Sequence, residues 1–156
     1  GDNYDTENSH VFAALIKKFT LAKLQNKDEV VCWGDGSPKR EFLHVDELGD
    51  ACLFCLENFE TNLNDNLIDN KFSNNFINIG TGNDISINEL ASIIKEKVGF
   101  KGLIKWDKSK PNGTLRKKLD VSKLNKLGWK SRISIEQGID DALLDFNNNY
   151  IRKIIE

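Results

Sequence analysis

The chain is expected to fold as an α/β protein with a small mixed sheet, and three observations in the sequence predict this. Segments with apolar residues at helical spacing alternate with short β-type runs along the whole chain. Two Ser-x-x-Glu/Gln boxes, Ser86-Ile87-Asn88-Glu89 and Ser134-Ile135-Glu136-Gln137, announce helix starts. Glycines fall where helices should stop, at Gly99 and Gly128. With 156 residues, no internal repeat and no Pro/Gly linker, a single domain over 1–156 is expected.

Residues 1–9 are polar and acidic and read as a loop. From His10 to about Gln25, Phe12, Leu15, Ile16 and Phe19 recur at helical spacing, with Ser9 as the expected N-cap. Val30–Trp33 and Phe42–Val45 are short β-type runs, and the Gly34–Pro38 turn between them suggests a hairpin-like return. Asp46 should cap a helix whose buried stripe is Leu48, Cys52, Cys55, Leu56 and Phe59. Residues 60–75 are rich in Asn and Asp and read as a flexible loop or insertion. Phe76–Ile79 reads as a strand ending in Gly80-Thr81-Gly82.

The helix opened by Ser86 should bury Ile87, Leu90, Ala91, Ile94 and Val98. Leu103–Trp106 is a further strand, and Asp120 is expected to cap a brief helix that stops at Gly128. The helix opened by Ser134 should bury Ile135, Ile139, Leu143, Phe146 and Tyr150.

Composition narrows the function. A formal charge of −2 and a pI near 5.8 argue against a general nucleic-acid binder. No apolar run approaches the ~18 residues of a membrane span. Cys32, Cys52 and Cys55 are an odd set with no secretory segment before them, so a cytoplasmic protein is expected. Cys52 and Cys55 lie on an apolar helical stripe without a second Cys/His pair at zinc spacing, and read as a buried core pair rather than a metal site.

Several residues carry potential chemistry. Lys105–Lys118 is a basic cluster around a Pro-Asn-Gly turn, suited to clamping phosphate; a solvated charged loop is the plain alternative. Trp33 beside a Gly-rich turn that ends at Arg40 could hold a base or sugar face and a phosphate together, or could instead close the core. His10, at a helix start, is placed to relay protons or bind anions, or is a surface histidine. Lys17 and Lys18 follow about 10–12 Å along that helix, the span from a sugar to a diphosphate. His44 alternates with apolar neighbours and reads as structural. Gly80-Thr81-Gly82 is too short for a dinucleotide fingerprint.

Taken together, Asn8-Ser9-His10-Val11 with Lys17-Lys18-Phe19, the run Trp33 to Asp46, Ile77–Gly82, Ser109–Thr114 with Arg116-Lys117, Leu119-Asp120 and Leu127-Gly128-Trp129 resemble the GDP-L-fucose synthase family of extended short-chain dehydrogenase/reductases. The resemblance covers nearly the whole chain apart from 60–75 and the last few residues. It implies the C-terminal, substrate-binding portion of a Rossmann-type enzyme, with the N-terminal Rossmann half absent. The implied chemistry is epimerisation of GDP-4-keto-6-deoxy-D-mannose at C3 and C5, followed by reduction of C4 with NADPH.

On this resemblance His10 matches the proton donor of epimerisation, which also lies near the nicotinamide. Lys18, Trp33, Arg40, Asn112 and Lys117 match substrate contacts, with Arg40 placed for the diphosphate and Lys117 in the clamp on the GDP end. Asn112 stands where the family often has Asp, and Lys18 where it commonly has Arg; Lys lacks the bidentate fork. The implied partners are a GDP-sugar and the missing half, and the full enzyme is expected to be a homodimer. The chain alone is expected to bind no NADP(H) and to be inactive. Two alternatives remain: another nucleotide-sugar epimerase or dehydratase of the same superfamily, and a non-catalytic nucleotide-sugar binding module.

Overall fold

The structure is a computed structural model that describes residues 2–4, 9–58 and 76–151. The Asn/Asp-rich segment 60–75, together with Phe59, lies outside the described residues. The order of elements is α1 (Val11–Leu24), β1 (Glu29–Trp33), β2 (Lys39–Arg40), α2 (Val45–Asn58), β3 (Ile85–Ser86), α3 (Ile87–Val98), β4 (Leu103–Asp107), β5 (Arg116–Lys117), α4 (Ser122–Leu127) and α5 (Ile135–Phe146). A π-helical turn, Asn147–Ile151, follows α5. The α/β class and the small mixed sheets are as the sequence predicts.

The chain forms two compact units, one of residues 1–40, 85–117 and 134–156, the other of 41–84 and 118–133. In the first unit, β1 and β4 pair in parallel, with Val30 opposite Ile104 and Trp33 opposite Asp107. A second sheet runs β3-β2-β5, antiparallel on one side of β2 and parallel on the other. Helices α1, α3 and α5 pack on one another and supply the largest fully buried side chains: Ile16, Phe19, Leu90, Ile94, Ile139 and Phe146. Burial of such side chains stabilises by roughly 1.5–3 kcal/mol each.

Helix α3 forms as its sequence requires. Ser86 Oγ accepts from the Glu89 N–H and the Glu89 carboxylate accepts from the Ser86 N–H, while Gly99 ends the helix at φ 73°. Its buried face is Ile87, Leu90, Ala91, Ile94 and Val98, as the periodicity predicts. Ser134 likewise caps α5 by accepting from the Gln137 N–H; of the predicted stripe Ile139 and Phe146 are fully enclosed, while Ile135, Leu143 and Tyr150 are partly exposed.

Other expectations are corrected. The N-cap of α1 is His10, not Ser9. Residues 2–4 and 9 have neither helix nor strand, as expected of a loop, and within it Tyr4 is buried against Phe146 and Tyr150, with ring centroids 4.6 Å from each. No hairpin joins β1 to a strand at 42–45. Pairing of Trp33 with Asp107 and donation of the Gly34 N–H to Asp107 O commit β1 to β4, and the chain leaves along a turn with two left-handed glycines, Gly34 and Gly36. The strand after the turn is Lys39–Arg40 instead.

In the second unit, residues 42–44 lead directly into α2. His44, rather than Asp46, caps it: its Nδ1 accepts from the Asp46 N–H and its carbonyl accepts from the Leu48 N–H. The face of α2 turned inward is Glu47 and Ala51 with Phe54 and Cys55, packed on Leu124 and Trp129. The predicted stripe is not buried: Leu48, Cys52 and Leu56 are exposed and Cys55 is half-buried, so the two cysteines are not a core pair. The reason is polar. Glu47 accepts from the Ser131 hydroxyl and from the N–H groups of Arg132 and Ile133, and Asp50 accepts from Trp129 Nε1 at 2.8 Å. These bonds turn the carboxylate side of α2 inward.

Phe76–Ile79 is not a strand. Side chains satisfy part of its surroundings instead: Lys123 Nζ donates to Phe76 O, and Asn78 Nδ2 donates to Asp120 O. Helix α4 stops at Gly128 as predicted, but its cap position is Val121, with Asp120 accepting from the Ser122 N–H one residue earlier.

Candidate functional site

Five of the six residues singled out from the sequence come together in the first unit, joined by a continuous series of contacts. The series begins at Trp33, the last residue of β1. Its indole is 60% exposed and so does not close the core. Lys18, from the third turn of α1, brings its ammonium 5.7 Å from the ring centroid while donating to Val31 O. A cation at this range is attracted by the ring quadrupole.

Gly34 follows, and the 109–113 loop is pinned on it. The Asp35 N–H donates to Asn112 Oδ1 at 2.8 Å, and a Cβ built on Gly34 would fall 2.2 Å from that oxygen. Only glycine permits this approach, and its φ of +79° also favours glycine. Asp35 is the hub of the turn: its carboxylate accepts from the Ser37 hydroxyl and N–H. These bonds, with the Asn112 amide third, hold the Asp35 carboxyl below the usual carboxylate range. Asn112 therefore fixes the loop, a use that its position in the sequence did not announce.

Gly113 comes next in the loop, at φ +71°, and a Cβ there would lie 3.5 Å from Arg40 Nη2. Arg40 itself donates from Nη1 to Lys39 O at 2.7 Å. The ladder then brings the last residue in: β2 and β5 run parallel with Arg40 beside Lys117 and Lys39 beside Arg116. Two adjacent pairs of like charges on a two-residue ladder are unfavourable in themselves. Lys39 and Glu89 interact electrostatically, which helps hold the Glu89 carboxyl below its ordinary range, after the larger effect of the Ser86 N–H and hydroxyl. Arg40 and Lys117 make no ion pair with a carboxylate among the described residues. An anion placed against them relieves the repulsion.

His10 stands apart from this series. It is exposed at the head of α1, its side chain caps no N–H, and Lys18 lies eight residues on, about 12 Å along the axis. His44 is structural, as expected, although it serves as a helix cap rather than in a strand. Glu41, which the sequence pairs with Arg40 in one charged dipeptide, is used elsewhere: it accepts from the Gly82 N–H, the Thr81 hydroxyl and the Leu119 N–H. A Cβ on Gly80 would sit 2.5 Å from its Oε1, so the Gly80-Thr81-Gly82 turn cradles a protein carboxylate. Among the described residues no group of three or more His, Cys, Asp or Glu is placed to hold a metal ion, and no helix is long and apolar enough to cross a membrane.

Parallel strands β1 and β4, a Gly-rich turn after β1 and an exposed indole beside a lysine mark this as an α/β chain with its candidate site at the end of β1. Residues 1–80, just over half of the chain, match the NAD dependent epimerase/dehydratase family, and the chain belongs to that family. Its sequence is 46% identical over 141 residues to GDP-L-fucose synthase 1 of Arabidopsis thaliana, covering 90% of this chain and 40% of that protein. It is 43% identical over 151 residues to GDP-L-fucose synthase of Escherichia coli K12, covering 97% of this chain and 46% of that one. Among solved structures, a GDP-L-fucose synthetase of Naegleria fowleri bound to NADP superposes with a TM-score of 0.80 at 25% identity, over 96% of this chain and 43% of that one. The resemblance read from the motifs is thus a likeness along almost the whole chain, and the chain spans less than half the length of these relatives.

Proposed function

We infer that this chain is the substrate-binding portion of a GDP-sugar epimerase/reductase of the GDP-L-fucose synthase type. The observation that carries the reading is the juxtaposition of Arg40 and Lys117 as uncompensated neighbours on one ladder, with exposed Trp33 at the other end of the same pinned loop. The ladder cations hold the diphosphate, Arg40 through its planar fork and Lys117 as a point charge. Trp33 offers a flat apolar face to a sugar or base, and Lys18 adds charge beside it. Asn112 acts on the substrate by keeping Gly113 against Arg40.

In the parent enzyme the substrate is a GDP-4-keto-6-deoxy-mannose, whose ketone acidifies the C3 and C5 hydrogens. After a base in the rest of the parent enzyme has removed a proton from each of those carbons, His10, exposed and free of a capping bond, returns one on the opposite face. NADPH, when bound by the parent enzyme, would supply the hydride for C4, and of this chain's residues His10, exposed at the head of α1, would be the one available to it. The relatives are about twice as long as this chain, and the parts that bind the dinucleotide and reduce the ketone belong to the rest of such a protein. The chain by itself holds nucleotide and turns nothing over. Within a cell the parent is a cytoplasmic homodimer.

Calorimetric titration of the chain with GDP, with UDP as control, tests this. GDP-selective binding that Arg40→Ala weakens at least about tenfold, the scale of a charge-assisted hydrogen bond, is the expected result. Preference for UDP would assign the chain to another nucleotide-sugar epimerase or dehydratase. Binding of either that is indifferent to Arg40→Ala would refute the site.

A further inference from the structure

Lys110 lies in the turn after β4, and its ammonium stands 5.5 Å from the centroid of the Trp33 ring that Lys18 approaches to 5.7 Å. Two ammonium groups therefore share one exposed indole. Neither makes a salt bridge to a carboxylate among the described residues. The acidic residue in the same turn, Asp107, is committed to Ser109, accepting from its hydroxyl at 2.6 Å and its N–H at 3.0 Å. Those two bonds, ahead of the charge on Lys110, hold the Asp107 carboxyl below its ordinary range.

The position of Lys110 is set by backbone rather than by chance contact on a mobile arm. Asp107 is the register partner of Trp33, its carbonyl accepts from the Gly34 N–H at 2.9 Å, and the same carbonyl accepts from the Lys110 N–H at 3.2 Å. One carbonyl thus ties the strand that carries the indole to the turn that carries the ammonium. Asn112, two residues on, anchors the other end of the turn on Asp35. A lysine held in this way, with a second ammonium near the same ring and no salt bridge of its own among the described residues, is arranged for an anion that arrives with an apolar or aromatic body.

We propose that Lys110 is a phosphate-binding residue of this site, and that Lys18, Trp33 and Lys110 together form a cation-flanked platform that takes a nucleoside diphosphate by its flat face and its charge at once. The proposal rests on the nucleotide-sugar reading above and narrows the basic cluster 105–118 to one residue, Lys110, acting with Lys18 at the Trp33 ring. It makes a charge-specific prediction. Removing the ammonium should weaken ligands in proportion to their phosphate charge, whereas a merely structural lysine would affect all ligands alike or none.

The test is calorimetric titration of the 156-residue chain with GDP, GMP and guanosine, using wild type, Lys110→Gln, Lys110→Arg and Arg40→Ala, each checked for wild-type circular dichroism and melting. Lys110→Gln should weaken GDP about tenfold, GMP by less and guanosine not at all, and Lys110→Arg should restore GDP. Wild-type GDP affinity in Lys110→Gln, or an equal loss for all three ligands, overturns the proposal. If that occurs while Arg40→Ala still weakens GDP, the substrate-portion reading stands without Lys110. If wild type binds none of the three, both fall together.

Discussion

Gly34 concentrates the local chemistry of this molecule. A side chain there would meet Asn112 Oδ1 at 2.2 Å and would occupy a left-handed φ. Gly34→Ala should therefore free the 109–113 loop and cost about 1–3 kcal/mol, seen as a lowered urea midpoint. Gly49, inside α2 with nothing within 4 Å of an added Cβ, is the matched control: Gly49→Ala should stabilise by roughly 0.5–1 kcal/mol. Asn112→Asp tests the same latch electrostatically. A second carboxylate beside Asp35 repels it and raises the Asp35 pKa, so the variant should bind GDP less tightly than wild type at neutral pH. The defect should shrink as acid neutralises the pair, and an equal affinity at pH 7 would contradict the latch. The cations and the indole were legible in the sequence because Arg, Lys and Trp at those positions carry an obvious chemical use. The pin of Asn112 on Asp35 was not, because it depends on a parallel register between β1 and β4 that no local pattern reveals.

Elements were legible where local and long-range demands agree. Helix α3 has its capping box, its αL glycine and its buried face in accord, and nothing in its sequence conflicts with them. Helix α2 has two competing faces. Its apolar stripe suggests one orientation, but Glu47 and Asp50 find their donors in residues 129–132 and decide for the other. Burial pushes the Glu47 carboxyl up, and donation from the Arg132 N–H, the Ser131 hydroxyl and the Ile133 N–H, with the Arg132 charge, outweighs it, so the pKa ends below the ordinary value of 4.5. The sign of the linkage follows: a depressed folded pKa contributes stability above pH 4.5, and that contribution is lost as pH falls through the folded value. Glu47→Gln should lower stability at pH 7 by about 1–3 kcal/mol, with the gap to wild type closing in acid. Melting temperatures across pH 3–7 would show it, and a gap that widened in acid would contradict this role. The hairpin expected after β1 does not form for a related reason: β1 and β2 take partners far along the chain, and the β-type runs are too short to declare them.

At the scale of the whole molecule, α2 presents an apolar surface outward, with Leu53 64% and Leu56 83% exposed alongside Leu48 and Val45. Several exposed apolar side chains on one helix favour association. They are consistent with a chain that covers less than half of relatives such as the Escherichia coli enzyme, in which further chain is available to cover them. The chain in isolation should bind hydrophobic dyes and associate as concentration rises, and a Leu53→Lys, Leu56→Lys double variant should do neither. A wild-type chain that stays monomeric at millimolar concentration without dye binding would count against this.

The most direct test of the central claim is an amide NMR titration of the chain with GDP. GDP should shift the Trp33 indole N–H, Gly34, Lys39, Arg40 and residues 110–117, and leave the α3 residues Ser92 and Lys95 and the α2 amides unmoved. Shifts confined to those α3 or α2 positions, with Trp33 and Arg40 silent, would contradict it.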